Sequence, residues 1–344
     1  MTQMEVDPTT ALDMAGLARA WGTGSSAESL ELLDALAARA DELIPLAFEQ
    51  GDEAAELEAQ RFLYEVFAHR ILPPWSPHWR DYEHPTIVEA HRKVGDAWLA
   101  KDRATYGAGL EVPTSPKGFG EWAVEVCENH ASGVTHPLFD FLAEKATYDQ
   151  LVTFQAQETP FDIHFGDLVA LLLPGIHGGR KIELSHNFWD EMGNGTLERT
   201  HRQLRLDMMT RVGIPGEAYL TDVDSYWVEE LRMANMYFQT SSLRSLAPQS
   251  VGMLQATELV VPGRLDRQIE GWRRVGLTDK DMVYLLEHVV VDVEHAEGWL
   301  NHVIAPLAEE RPDMLLEVGI GIMRRLDCAL AVCDRAHREL ASEQ

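Results

Sequence analysis

The sequence predicts an all-α fold. Apolar residues recur at helical spacing through most of the chain, few segments alternate with the two-residue period of a strand, and no internal repeat or Gly/Ser-rich linker interrupts the pattern. The 344 residues allow one large domain or two ordinary ones, long enough either way for a sizeable core. Hydrophobic residues at 45% and charged residues at 25% exclude collagen-like, low-complexity and wholly disordered chains.

Each element follows from its local pattern. In residues 26–47, Leu30, Leu33, Leu36, Ala37 and Ile44 fall at helical spacing; Ser26 or Glu28 starts this helix and Gln50-Gly51 ends it. A second helix, 53–68, closes before the stiff run Leu72-Pro73-Pro74-Trp75-Ser76-Pro77. A third spans 86–101, and the Gly- and Pro-containing stretch 107–120 reads as a loop. From His136-Pro137 the pattern becomes denser, with helices expected at 138–145, 148–173, 181–192, 196–212, 225–240, 242–259, 263–275, 279–302 and 312–340. Residues 1–130 are expected to form an N-terminal helical extension or small helical subdomain, and 131–344 the main domain.

Charge and cysteine usage narrow the function classes. With 56 Asp plus Glu against 29 Lys plus Arg, the net charge of −27 repels phosphate backbones and anionic membranes, so neither nucleic acid nor a membrane is an expected partner. Cys127, Cys328 and Cys333 form no disulfide framework, and Cys328 and Cys333 read as core. The opening Met1-Thr2-Gln3-Met4-Glu5-Val6-Asp7 lacks a signal-peptide pattern, and the longest apolar stretch, 168–173, is far too short to span a bilayer. A cytoplasmic location is therefore expected.

Three blocks carry chemistry. His288, Asp292 and His295 stand at i, i+4 and i+7, within roughly 60° of one another on a helix face. Their neighbours are Val and Leu, so they need either a metal or one another as partners, with Asp292 accepting from the histidines. In the second block, Gly193-Asn194-Gly195 should break a helix between Glu191 and His201, with Thr196 as N-cap of the next one. Unbroken, that helix would hold the pair about 15 Å apart, too far for one metal centre. The third block is Glu158, followed closely by Pro160; as an isolated acid it reads as solvated. Imidazole and carboxylate without thiolate suit iron or manganese, and carboxylates that bridge favour a dinuclear centre in a helical bundle. A ferritin-like alternative would pair Glu198-x-x-His201 with Asp292-x-x-His295, making Glu198 a ligand and leaving His288 unused.

Together these blocks resemble the haem-oxygenase-like diiron oxidases, the iron-containing redox enzymes, over roughly residues 136–308. The resemblance is carried by 158–170, by 187–201 with its Asp-Glu-Met-Gly core and a histidine ten residues after the glutamate, and by His288-x3-Asp292-x2-His295. It implies a haem-oxygenase-like helical bundle in which Glu158, Glu191, His201, His288, Asp292 and His295 hold two irons, Fe(II) or Fe(III), with dioxygen as co-substrate. It further implies oxidation of a small molecule in natural-product biosynthesis. A free aliphatic amino acid is favoured (side-chain desaturation or cyclisation, or N-hydroxylation), and fatty-acid desaturation or decarboxylation is the alternative. No flavin or Fe–S motif is present, so an external electron donor is expected; a homodimer is left open. Outside catalysis, the alternatives are a non-catalytic iron- or cofactor-binding helical protein and an interaction protein with structural histidines.

Arg202, Arg205 and Arg211 follow His201 and are candidates for a substrate carboxylate. Asp162 and Asp190 could accept from ligand imidazoles, and Tyr226, Trp227, Tyr237 and Phe238 could wall a pocket. His164, His177 and His186 read as surface residues or as supports of the ligands.

Overall fold

A computed structural model describes residues 12–21, 26–107 and 109–342, with the backbone alone for 26–28. Residues 1–7, read above for a leader, and residue 108 of the expected loop lie outside the described residues, as does any capping side chain at 26–28. The described residues are helical with no strand, so the chain is all-α as its periodicity predicts. It divides into two compact units, Met1–Thr105 with Leu220–Asn235, and Tyr106–Tyr219 with Met236–Gln344.

The first unit holds α1 (Met14–Trp21), α2 (Ser26–Ile44), α3 (Glu53–Arg70) and most of α4 (Pro85–Tyr106). Asp52 starts α3 by accepting the Ala55 N–H at 2.8 Å. Its buried acids are matched: Glu56 meets Arg232 at 2.7 Å and Lys101 at 3.3 Å, and Glu65 accepts from Tyr82 at 2.7 Å.

The second unit begins with α5 (Pro116–Asn129), α6 (Pro137–Glu144), α7 (Tyr148–Asp162), α8 (Phe165–Leu172), α9 (Gly178–Glu191) and α10 (His201–Val212). The short α11 (Ala218–Thr221) and α12 (Val228–Ser242) cross the boundaries of the inserted segment. Then come α13 (Ala247–Arg274), α14 (Val283–Gly298), α15 (Ala305–Glu310) and α16 (Leu315–Ala341). Helix α13 is the axis of this unit, with α16, α14 and α6 packed along it. Gly252 permits the α16 approach, since a Cβ there would run into the Val318 carbonyl.

Four elements differ from the sequence expectation, each for a local reason. Helix α5 begins inside the expected loop: Pro116 occupies its first turn and Ser115 caps Gly118 N–H at 3.2 Å, so two glycines do not prevent it. It packs on α13, α15 and α16, within the unit that begins at Tyr106. The span 148–173 is two helices, interrupted after Asp162. Helix α10 starts at His201 with Thr200, not Thr196, as its cap, accepting Gln203 N–H at 3.2 Å. Finally, 242–259 and 263–275 are not separate helices. Helix α13 runs through Pro262, which leaves the Glu258 carbonyl without its helical donor yet does not end the helix.

Candidate metal centre

The face predicted on α14 is present. His288, Asp292 and His295 are all less than a tenth exposed, whereas Val290 and Val293 on the opposite side face solvent. His288 donates Nδ1–H to the Tyr284 carbonyl one turn earlier at 2.7 Å, which leaves Nε2 as its free electron pair. Helix α14 continues into a π-helical turn, Trp299–Ile304, where the buried Trp299 donates its indole N–H to Asn187 of α9 at 2.7 Å. That bond ties α14 to the helix carrying Glu191.

The break after α9 brings Glu191 and His201 together. Gly193, Asn194 and Gly195 adopt φ values of +59°, +53° and +82°, reversing the chain within three residues. A Cβ at Gly193 would strike the Arg199–Thr200 backbone, so the turn needs glycine there. Across it, His201 Nδ1 lies 2.9 Å from Glu191 Oε1, and the His201 and His288 rings sit 4.4 Å apart.

Two buried donor groups result. Glu191, His201 and His288 have ligand atoms all within 4.8 Å of one another, and so do Glu258, Asp292 and His295. In the second, His295 Nδ1 lies 3.6 Å from Glu258 Oε2, and its Nε2 donates to Asp190 Oδ2 at 3.0 Å. The carboxylate–histidine contact on the far side of the ring fixes the tautomer that presents Nδ1 inward.

Electrostatics distinguish the two groups. In the first, burial would push Glu191 up, but His201, His288 and His295 together hold it below the usual carboxylate range. Burial and His201 push His288 down to about 4. In the second, burial pushes Glu258 and Asp292 above their ordinary values; Glu258 raises Asp292 further, and Glu191 raises both. Burial would lower His295, yet Glu258 and Asp190 outweigh it and raise it to about 9. Three buried carboxylates and three imidazoles with no thiolate are a donor set that fits iron. The raised acids of the second group mark a place where a cation is favoured.

Five of the six sequence-predicted site residues lie in these groups; Glu158 does not. It sits on α7, accepts from Gln268 at 3.3 Å, and is pushed up to about 8 by burial and by Asp162. Glu258 was missed by sequence reasoning because its stretch was read as a helix end before Val260-Val261-Pro262-Gly263. The usable signal was a single acid in an apolar run, the criterion already applied to His288. Glu198, required by the ferritin-like alternative, is exposed on a 3-10 turn outside both groups.

The three arginines after His201 are engaged by the protein. Arg202 donates to the Ile163 carbonyl and Tyr219, Arg205 pairs with Asp162 at 3.2 Å, and Arg211 with Asp281 at 2.7 Å. His164 is buried between the Tyr219 and Phe238 rings, while His177 and His186 are exposed. Tyr226 and Trp227 belong to the first unit, Tyr237 and Phe238 to the second. Cys333 is buried and Cys328 partly so, and neither is in a disulfide. A cleft of about 470 Å³ opens over His295, walled by Glu183, Asp190, Glu294 and Glu297 with the half-exposed Trp189.

A family model described as iron-containing redox enzyme matches residues 152–330, which include both donor groups. No curated protein matches the chain. No helix among the described residues is long and apolar enough to cross a membrane.

Proposed function

The chain belongs to the iron-containing redox enzyme family, and on that premise we propose that it is a dinuclear non-haem iron oxidase that uses dioxygen. One iron is assigned to Glu191, His201 and His288, the other to Glu258, Asp292 and His295. The observation that carries this reading is the adjacency of two complete carboxylate–imidazole groups along one face of α14. Iron held there would supply the reduction of dioxygen and the oxidising power to break an aliphatic C–H bond or add oxygen to an amine.

The chain's own residues prepare that chemistry. The Tyr284 carbonyl and Asp190 fix the orientation of His288 and His295 before any metal arrives. The proton shared between His201 Nδ1 and Glu191 Oε1 must leave when that group takes a cation, so loading releases acid. Burial of all six side chains keeps bulk water away. The acidic cleft over His295 draws in cations, which supports an ammonium-bearing substrate. We therefore favour a free aliphatic amino acid over a fatty acid, with electrons from a separate donor.

Anaerobic Fe(II) titration followed by rapid mixing with dioxygen tests this reading. Uptake of two irons per chain and a transient visible band, accelerated by an amino acid, are expected. A chain that takes up no iron, or takes it up equally well with His288→Ala and His295→Ala, is not this enzyme.

A further inference from the structure

Beneath the donor groups lies a set of buried cations that the metal reading does not use. Arg205, Arg264 and Arg325 are each less than a tenth exposed. Arg205 has Asp162 as counterion. Arg264 and Arg325 make no ion pair among the described residues; their partners are neutral. Arg264 donates to the Ser132 carbonyl and lies 5.5 Å from the Phe139 ring centre. Arg325 donates Nε–H to Tyr237 at 2.8 Å and to Thr257 at 3.1 Å. Arg264 Nε and Arg325 Nη1 are buried without any acceptor. Glu158, the nearby carboxyl group on α7, is held by Gln268 and pairs with neither arginine.

Two buried guanidiniums whose hydrogen-bond acceptors are all neutral are costly, because Asp162 acts on Arg325 and Glu158 on Arg264 only through space, without a direct ion pair. A guanidinium cannot escape by losing its proton as a lysine would. Even Arg264, pushed down to about 10 by burial, stays cationic at neutral pH. The location is equally telling. Thr257, the hydroxyl on Arg325, immediately precedes Glu258 on α13, and Arg325 and Glu191 both act electrostatically on Asp162. Arg325 is therefore linked to Glu191 through Asp162, on which both act, and it carries a buried N–H without an acceptor and a planar fork suited to a carboxylate.

We propose that Arg325, backed by Arg264, receives the carboxylate of the substrate on the inner side of the metal groups. The proposal rests on the oxidase reading and narrows it to carboxylic acids, amino or fatty. Arginines that follow His201 in sequence are not the anchor, since protein groups already occupy them.

Calorimetric binding to the anaerobic iron-loaded chain, and to the metal-free chain, tests it. The probes are norleucine and decanoate, each paired with a carboxylate-free counterpart, pentylamine and decanol. One acid should bind more tightly than its counterpart, and which acid does so identifies the source of the carboxylate. Arg325→Gln should weaken that acid roughly 30-fold or more, with iron content unchanged. Arg264→Gln should weaken it less, and Arg325→Lys should keep part of the affinity; these two carry the test if Arg325→Gln does not fold. Equal binding of acids and counterparts, or unchanged affinity in the arginine variants, overturns the proposal. Iron counted on the same samples separates the two readings. Two irons without acid preference refutes the anchor alone, and acid preference without iron refutes the oxidase alone.

Discussion

The two donor groups share a helix but solve burial differently. Glu191, His201 and His288 form a nearly balanced set, in which a lowered carboxylate faces a raised His201 and a neutral His288. Glu258, Asp292 and His295 hold an excess of acid: burial pushes both carboxyls above their ordinary values, and Glu258 and Asp190 raise the imidazole to about 9. The first group can wait for a cation at little cost. The second is strained without one, because two buried acids cannot both ionise beside a single imidazole. Metal should therefore stabilise the fold chiefly through the second group.

The largest break in that symmetry comes from removing a ligand. Asp292→Ala deletes one of two carboxylates in the second group and leaves the first intact. Iron uptake should fall from two to about one per chain, as expected when a donor set loses a member. His201→Ala should do the converse, removing the first group and leaving the second. Iron analysis after gel filtration, together with the spectrum of the residual site, distinguishes the halves. Loss of both irons in each variant would mean that the groups load as one unit.

Next in size is the residue behind His295. Asp190 touches no candidate metal position; it accepts from the far nitrogen of the ring at 3.0 Å. Asp190→Asn keeps the shape and removes the charge, and should weaken iron binding roughly 10- to 100-fold at the second group alone. A residue that merely packed there would change the melting temperature and leave the affinity of both groups untouched.

These groups also show what could be read before the fold was known. On α14 the spacing of His288, Asp292 and His295 was sufficient, because one helix carries all three. Glu191 and His201 needed only the inference that Gly193-Asn194-Gly195 turns the chain. Glu258 depended on a long-range fact: α13 continues through Pro262 because neighbouring helices hold it, overriding the local signal to stop. Glu158 failed to enter either group for the complementary reason. Its position relative to α14 is set by packing, and no local pattern encodes that. The same limit applied to Arg264 and Arg325, whose buried N–H groups without acceptors are a property of the assembled interior.

Proton linkage gives a smaller, graded contrast. His295 is raised from 6.5 to about 9 in the fold, so its contribution is complete below pH 6.5 and is lost as pH rises towards 9. The raised acids Glu258 and Asp292 act with the same sign, since the fold prefers them protonated. His288 runs the other way. Its lowered value near 4 means that the unfolded chain binds the proton more readily, so its contribution is gained between pH 4 and 6.5. The metal-free chain should lose stability from pH 6.5 to 9, and iron should flatten that decline by replacing the protons. Thermal melts with and without iron measure both slopes; parallel curves would contradict the excess-acid picture of the second group.

The smallest effect concerns the turn that closes the first group. Thr196 was the expected cap and makes no side-chain cap bond, whereas Thr200 accepts the Gln203 N–H at 3.2 Å and starts the helix on which His201 is the first residue. Thr200→Ala should destabilise the chain by about 1 kcal/mol, the usual value of a lost cap. Thr196→Ala should be close to neutral. Because Thr200 directly precedes His201, its loss should also loosen the 2.9 Å contact with Glu191 and reduce iron affinity at the first group only. Denaturant melts of the two variants set the ordering. A Thr196→Ala penalty equal to that of Thr200→Ala would place the helix start four residues earlier and separate Glu191 from His201.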